Sequence, residues 1–259
     1  MRVKDIAGIL QEFAPESLQE NWDNSGFMVG DYNTNVTKVL LALDCTEDVV
    51  DEAKEIGAEM IVTHHPLLFK GLKKIGSDTY VERVVKNLIK NDISLYSIHT
   101  NIDKVLQGVS GIMADKLCLI NQTILNKEGE QESGLGVIGE LEQPMDAISL
   151  VALLKEVFDV HCVKSSNLVQ GKIKKVAVCG GSGSSLIGQA MASGAQVLVT
   201  GDVSYHNFFC EKDFMIMDIG HYESEIGVVD LIREILLKKI PNFAVYKSCK
   251  NNNPIQYHL

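Results

Sequence analysis

The chain has 259 residues, enough for one large domain or two modest ones with a proper core, and its 46% hydrophobic and 22% charged content is that of an ordinary globular protein. With 24 basic and 34 acidic residues the formal charge is −10, which argues against a duplex nucleic-acid binder. "KGLKK" (70–74) and "GKIKK" (171–175) are the only basic clusters, and both read as solvated loops beside strands.

In chain order, residues 3–13 place apolar side chains at helical spacing and are closed by Pro15; with Asp5 and Glu12 inside, they form no secretory leader. "KVLLALD" (38–44) has the length and apolarity of a buried strand. "TEDVVDEAKEIGA" (46–58) follows as a helix, with Thr46 as N-cap and Gly57 as stop. "EMIVTHH" is the next strand, "TYVERVVKNLIKN" a helix and "ISLYSIHT" another strand, an alternation that points to α/β architecture. The polar stretch "NKEGEQESG" (126–134) reads as a linker. "GLGVIGEL" then predicts a strand, "MDAISLVALLKEVFD" a helix, "ESEIGVVDLIREILLKKI" an amphipathic helix ending before Pro241, and "FAVYKS" a last strand. No apolar run approaches the roughly 18 residues of a membrane span. Cys45, Cys118, Cys162, Cys179, Cys210 and Cys249 are scattered without a CxxC pair, so reduced thiols in a cytoplasmic protein are expected.

An internal repeat organises these elements. "KVLLALDCTEDVVDEAKEIGAEMIVTHH" (38–65) aligns without gaps on "KVAVCGGSGSSLIGQAMASGAQVLVTGD" (175–202), matching Lys38 to Lys175, Gly57 to Gly194 and Thr63 to Thr200. A third strand follows each copy and ends in a histidine with a carboxylate four residues on: His99 with Asp103, and His221 with Glu225. The expected fold is therefore two related α/β domains with mixed sheets flanked by helices. The first covers 1–127 plus 222–259, with the C-terminal helix and strand returning to it; the second covers 128–221.

The chemistry centres on "VTHHP". Neighbouring side chains on extended backbone point to opposite sides, so His64 and His65 suit two adjacent ions better than one. One packed and one exposed histidine is the competing reading. The repeat favours metal, because His99/Asp103 and His221/Glu225 also follow inferred strand ends, where open α/β sheets place ligands. Two carboxylates, Asp103 and Glu225, leave a pair of divalent ions with residual positive charge to attract a small anionic substrate. Mixed nitrogen and oxygen donors suit zinc, manganese, iron or nickel without choosing among them.

Two further motifs carry open readings. "CGGSGSS" (179–185) offers Ser182 and Gly183 as a phosphate cradle, against a plain tight turn. "TGDVSYH" places Asp202 and His206 as an acid/base pair or as support for the site, against a capped turn. His99 orients Asp103 or lines the pocket. Trp22 is expected to pack against the first unit, and Asp44 either approaches the metals or caps the next helix.

"WDNSGFMVGD", "ALDCT", "VTHHPLLF", "HTNID", "CGGSG", "TGDVSYH", "GHYESE" and "NNNP" resemble the motifs of the Nif-three-like family of dinuclear metal-centre proteins, often labelled GTP cyclohydrolase I type 2. The resemblance runs nearly end to end. It implies two α/β domains, a toroidal homohexamer, and two divalent ions per chain. One ion would take His65, Asp103 and Glu225, and the other His64, His221 and Glu225, with Glu225 bridging. Longer members insert a further domain mid-chain, for which the short polar stretch leaves no room. The activity implied is metal-dependent hydrolysis, by label the opening of the GTP imidazole ring, with His206, Asp202 or His99 moving protons. A different phosphate-containing or cyclic amide substrate, or a non-catalytic metal-binding scaffold, are the alternatives.

Overall fold

A computed structural model describes residues 1–129, 133–250 and 253–258. Part of the polar stretch 126–134 and Asn251–Asn252 of "NNNP" lie outside the described residues. The elements begin with α1 (Val3–Phe13), β1 (Gly26–Val29), β2 (Lys38–Ala42), α2 (Glu47–Ile56), β3 (Met60–Thr63), α3 (Tyr80–Lys90), β4 (Ser94–Ser97) and α4 (Thr100–Asp103). They continue with α5 (Val109–Lys116), β5 (Leu119–Lys127), β6 (Gly134–Met145), α6 (Ala147–Val157), β7 (Lys164–Ser165), β8 (Ile173–Ser182) and α7 (Ile187–Ala192). Last come β9 (Val197–Gly201), β10 (Met215–Asp218), α8 (His221–Glu225), α9 (Gly227–Lys239) and β11 (Ala244–Lys247).

Two compact units result: Met1–Ile102 with Val228–Pro254, and Asp103–Gly227 with Ile255–Leu259. The boundary falls at Ile102 rather than at 127. At the two ends of the stretch 126–134, Asn126, Lys127 and Gly134 belong to strands rather than to a linker: β5 and β6 pair antiparallel up to Lys127↔Gly134 inside the second unit.

The first unit holds a five-stranded sheet in the order β1-β4-β3-β2-β11, parallel except for β1 at its edge. Its parallel core strands read as continuous apolar runs because both faces are covered. One face sets Leu40, Ala42, Ile61 and Leu95 against Val49, Val50 and Ala53 of α2 and Val84, Val85 and Leu88 of α3. The alternate residues Val39, Leu41, Met60 and Val62 are equally buried. Helix α2 starts where Thr46 accepts from the Val49 amide and stops at Gly57, whose φ of 68° suits glycine.

The second unit holds a six-stranded mixed sheet, β5-β6-β8-β9-β10-β7, in which β8, β9 and β10 are parallel. Val176, Val178, Val197, Val199, Met215 and Met217 face α5 and α6. Ala177, Cys179, Leu198 and Ile216 pack on the other side with Ala190 of α7. Each unit is thus a mixed sheet flanked by helices. No helix among the described residues is long and apolar enough to cross a membrane.

Candidate metal centre

In the first unit the register Ala42↔Thr63↔Ser97 aligns the C-terminal ends of β2, β3 and β4. The next residues therefore leave the sheet side by side, and these include Asp44, His64, His65 and His99. Amides continue the pairing one step beyond the strands: His64 N–H donates to Ala42 O at 3.3 Å and His65 N–H to Leu43 O at 3.0 Å. The His65 carbonyl accepts from Thr63 Oγ1 at 2.9 Å and from Ser97 Oγ at 3.2 Å, which fixes the double histidine at its hinge. His64 is fully buried and His65 partly exposed.

Each imidazole is tied at Nδ1. His64 Nδ1 lies 2.8 Å from Ile98 O, His65 Nδ1 2.8 Å from Asp44 Oδ1, and His99 Nδ1 2.8 Å from Asp23 Oδ1. A carbonyl or an ionised carboxylate only accepts, so Nδ1 carries the proton and Nε2 presents its lone pair. The three histidines bring one ligand atom each to within 4.8 Å of one another. Asp23 is itself held: it accepts from the Thr100 amide at 3.1 Å and hydroxyl at 2.5 Å, and from Ser25 Oγ at 2.9 Å. Burial acts to raise its pKa, but the hydrogen bonds from His99 and Thr100 outweigh it and hold the carboxyl well below the usual carboxylate range.

In the second unit His221 and Glu225 lie one turn apart on α8, with Nε2 and Oε2 at 3.0 Å. The other nitrogen of His221 meets Asp202 Oδ2 at 2.8 Å. Glu225 is buried. Gly181 of "CGGSG" makes room for it. A Cβ on Gly181, whose φ is +58°, would stand 2.2 Å from Glu225 Oε1 and 3.2 Å from His221 Cε1; one on Gly180 would instead meet Val109 Cγ1 at 2.3 Å. Gly181 N–H donates to Ser224 Oγ at 2.9 Å, and that hydroxyl donates to His221 O at 2.7 Å, so α8 is pinned to β8. Burial pushes the Cys179 thiol beside them up to about 12, with the charges of Asp103 and Glu225 adding to it. Asp103 ends α4 in the same electrostatic neighbourhood.

The remaining candidates fall as follows. The Gly183 amide is spent on Thr200 Oγ1 at 2.9 Å and Ser182 is exposed, so neither glycine amide of the loop, at 181 or 183, is left over for a phosphate. His206 stands with Tyr205 and Phe209, at ring separations of 5.3 and 6.5 Å, while Asp202 holds His221. His99 is oriented by Asp23, 2.8 Å from its Nδ1. Trp22 is 59% exposed and stacks on Phe69 instead of packing inward. Asp23 escaped the sequence reading because its partner His99 is 76 residues away; its only local signal is the "WDN" triplet.

The model of the Duf34/NIF3 family (NGG1p interacting factor 3) matches residues 1–254. The chain belongs to the Duf34/NIF3 family. A GTP cyclohydrolase 1 type 2 homolog of Clostridium perfringens is 40% identical over 97% of this chain and 98% of its own length. One from Staphylococcus epidermidis is 26% identical over an alignment of 366 residues. Among solved structures, a Staphylococcus aureus hypothetical protein superposes with a TM-score of 0.92 at 31% identity, over 100% of this chain and 99% of that one. A Bacillus cereus protein related to NIF3 reaches 0.90 at 26% identity, over 100% and 99%. In this NIF3-family chain two sets of donors can coordinate divalent metal: three imidazoles in one unit, an imidazole and a buried carboxylate in the other. Lone pairs on Nε2 backed by acceptors at Nδ1, together with a buried carboxylate, fit a borderline divalent ion.

Proposed function

We propose that this chain is a metal-dependent hydrolase with a dinuclear centre, in which one ion takes His65, Asp103 and Glu225 and the other His64, His221 and Glu225. The observation that carries this reading is that His64, His65, His99 and His221 are all engaged at Nδ1 by an oxygen acceptor, three of them a carboxylate. Histidines placed only for packing have no need of that uniform polarity. When bound, a pair of divalent ions supplies Lewis-acid polarisation of the substrate and activation of water.

The chain's own residues then divide the work. Asp44 and Asp202 orient His65 and His221 and strengthen them as donors. His99, held by Asp23 beside His64 and His65 at ring separations of 5.2 and 5.5 Å, is placed to move a proton at its Nε2. The relatives' label makes GTP the substrate to try first. One water would add at C8 and open the imidazole ring to a formamide, and a second would release formate. The same reading takes the toroidal homohexamer from the family resemblance, a state that light scattering of the native protein tests directly. It also takes the two units as copies of one duplicated unit. Supporting that, Lys38 Nζ donates to Ile56 O at 2.6 Å and its counterpart Lys175 Nζ to Ser193 O at 2.7 Å.

The test is turnover of GTP by the metal-loaded protein, followed by formate release. Activity that needs metal and is lost in Glu225→Gln, with folding unchanged, supports the hydrolase. A metal-loaded protein that turns over neither GTP nor a panel of phosphate-containing and cyclic amide substrates contradicts it.

A further inference from the structure

Beside the imidazoles of the first unit lie two large exposed aromatic side chains. Trp22 is 59% and Phe69 49% exposed, yet their rings stack on each other, 5.8 Å between centroids with 26° between planes. Both turn toward His99, which meets Trp22 at 6.2 Å and Phe69 at 5.8 Å, edge to face. Single exposed aromatics are common on protein surfaces. A stacked pair held open at the rim of an imidazole cluster is different, because its apolar faces stay in water unless something covers them.

The backbone under the two rings is fixed. Next to Trp22, the inaccessible side chain of Asp23 is anchored by His99 and Thr100. Asn24 Nδ2 donates to Leu68 O at 2.6 Å and so ties the Trp22 segment to the Phe69 segment. The shelf is therefore preorganised, and a ligand laid on it has no side-chain collapse to reverse. Immediately after Phe69 the exposed Lys70 and Lys73 supply positive charge, while Lys74 is engaged by Asp78.

From this we infer that Trp22 and Phe69 form a stacking shelf that determines specificity for a planar heteroaromatic ring, its anionic group lying toward Lys70 and Lys73. The inference rests on the hydrolase reading only for calling that ring part of the substrate. A flat π-face over the shelf would put the ring's edge at His99, which neither a sugar nor an aliphatic amide could do with comparable stacking energy.

Trp22 is the sole tryptophan of the chain, so the shelf reports on itself. Intrinsic fluorescence of the metal-loaded full chain would be titrated with GTP, with guanosine, and with inorganic triphosphate and ribose 5-phosphate as ring-free controls. The expected result is saturable quenching by GTP and guanosine and none by the ring-free compounds. By calorimetry, Phe69→Ala should weaken GTP binding about 5- to 150-fold, the range of a lost base–aromatic stack, while Phe69→Tyr should restore it. No saturable quenching by either ring-bearing compound, or equal quenching by triphosphate alone, would overturn the inference. Quenching does not depend on turnover, so metal-dependent turnover of GTP without it sinks the shelf alone. Ring-dependent quenching with no turnover of GTP or of the phosphate-containing and cyclic amide panel supports the shelf and sinks the hydrolase reading.

Discussion

Asp44 and Asp202 each set the proton of one imidazole from behind, at 2.8 Å. Replacing either by Asn keeps the shape but removes the charge that makes the ring a better donor. Asp44→Asn and Asp202→Asn should each weaken metal binding about 10- to 100-fold with little change in melting temperature, read by metal titration beside thermal unfolding. Gly181 tests the other side of the site. Alanine there meets a left-handed backbone, at about 1–2 kcal/mol, and its methyl group would occupy the place of Glu225 Oε1. Gly181→Ala should therefore lose metal as well as stability, whereas Gly188→Ala, which meets nothing within 4 Å, should lose neither. Thiol chemistry reports on the same packing. Burial pushes Cys45 and Cys179 up to about 12, so alkylation at pH 8 should mark the exposed Cys118 and Cys162 and spare those two. Mass spectrometry of the labelled peptides decides; prompt labelling of Cys179 would contradict the pinning of α8 on β8.

Strand ends are where this fold gathers its polar groups, and the elements are held there by a few charged contacts. Glu52 of α2 is buried and accepts from the hydroxyl of Ser248 and, at 3.0 Å, from the amide of Cys249, which anchors the chain beyond β11. Burial acts to raise its pKa, but these hydrogen bonds prevail and the net shift is downward. The contribution is therefore complete above the unfolded value of about 4.3 and is lost as pH falls through the lower folded value. Glu52→Gln should cost about 1–3 kcal/mol at pH 7 in denaturant unfolding, and the gap to the native protein should narrow below about pH 4. A gap independent of pH would mean that the carboxylate's charge plays no part. The two units share a kind of contact at this scale. Glu59 accepts from the Thr37 and Lys38 amides at the start of β2, and Gln196 accepts from those of Lys174 and Lys175 at the start of β8. Yet the trailing histidines do not correspond. Ile98 donates to Thr63 at the end of β3 and Ile219 to Thr200 one residue before the end of β9, so His99 matches Gly220, and His221 matches Thr100.

Across the whole molecule, what could be read from the chain was whatever local chemistry repeats: apolar runs of strand length, Thr46 and Gly57 around a helix, the ungapped match of 38–65 with 175–202. The α/β class and the histidines of "VTHH" followed from those patterns. What could not be read depends on partners distant in sequence. The polar residues 126–134 look like a linker, and only the pairing of β5 with β6 puts Asn126, Lys127 and Gly134 into one sheet. The glycines of "CGGSG" look like a phosphate loop, and only α8 packed above them shows that Gly181 leaves room for Glu225. Trp22 looks like core until its neighbour proves to be an exposed Phe69. The central claim, that these histidines and carboxylates hold two divalent ions, is tested most directly by elemental analysis. The protein would be purified without chelator or affinity metal, loaded with zinc, manganese, iron or nickel in turn, and desalted. The account predicts about two tightly held ions per chain for at least one metal, and their loss in Glu225→Gln. Folded protein that retains none of the four metals would contradict it.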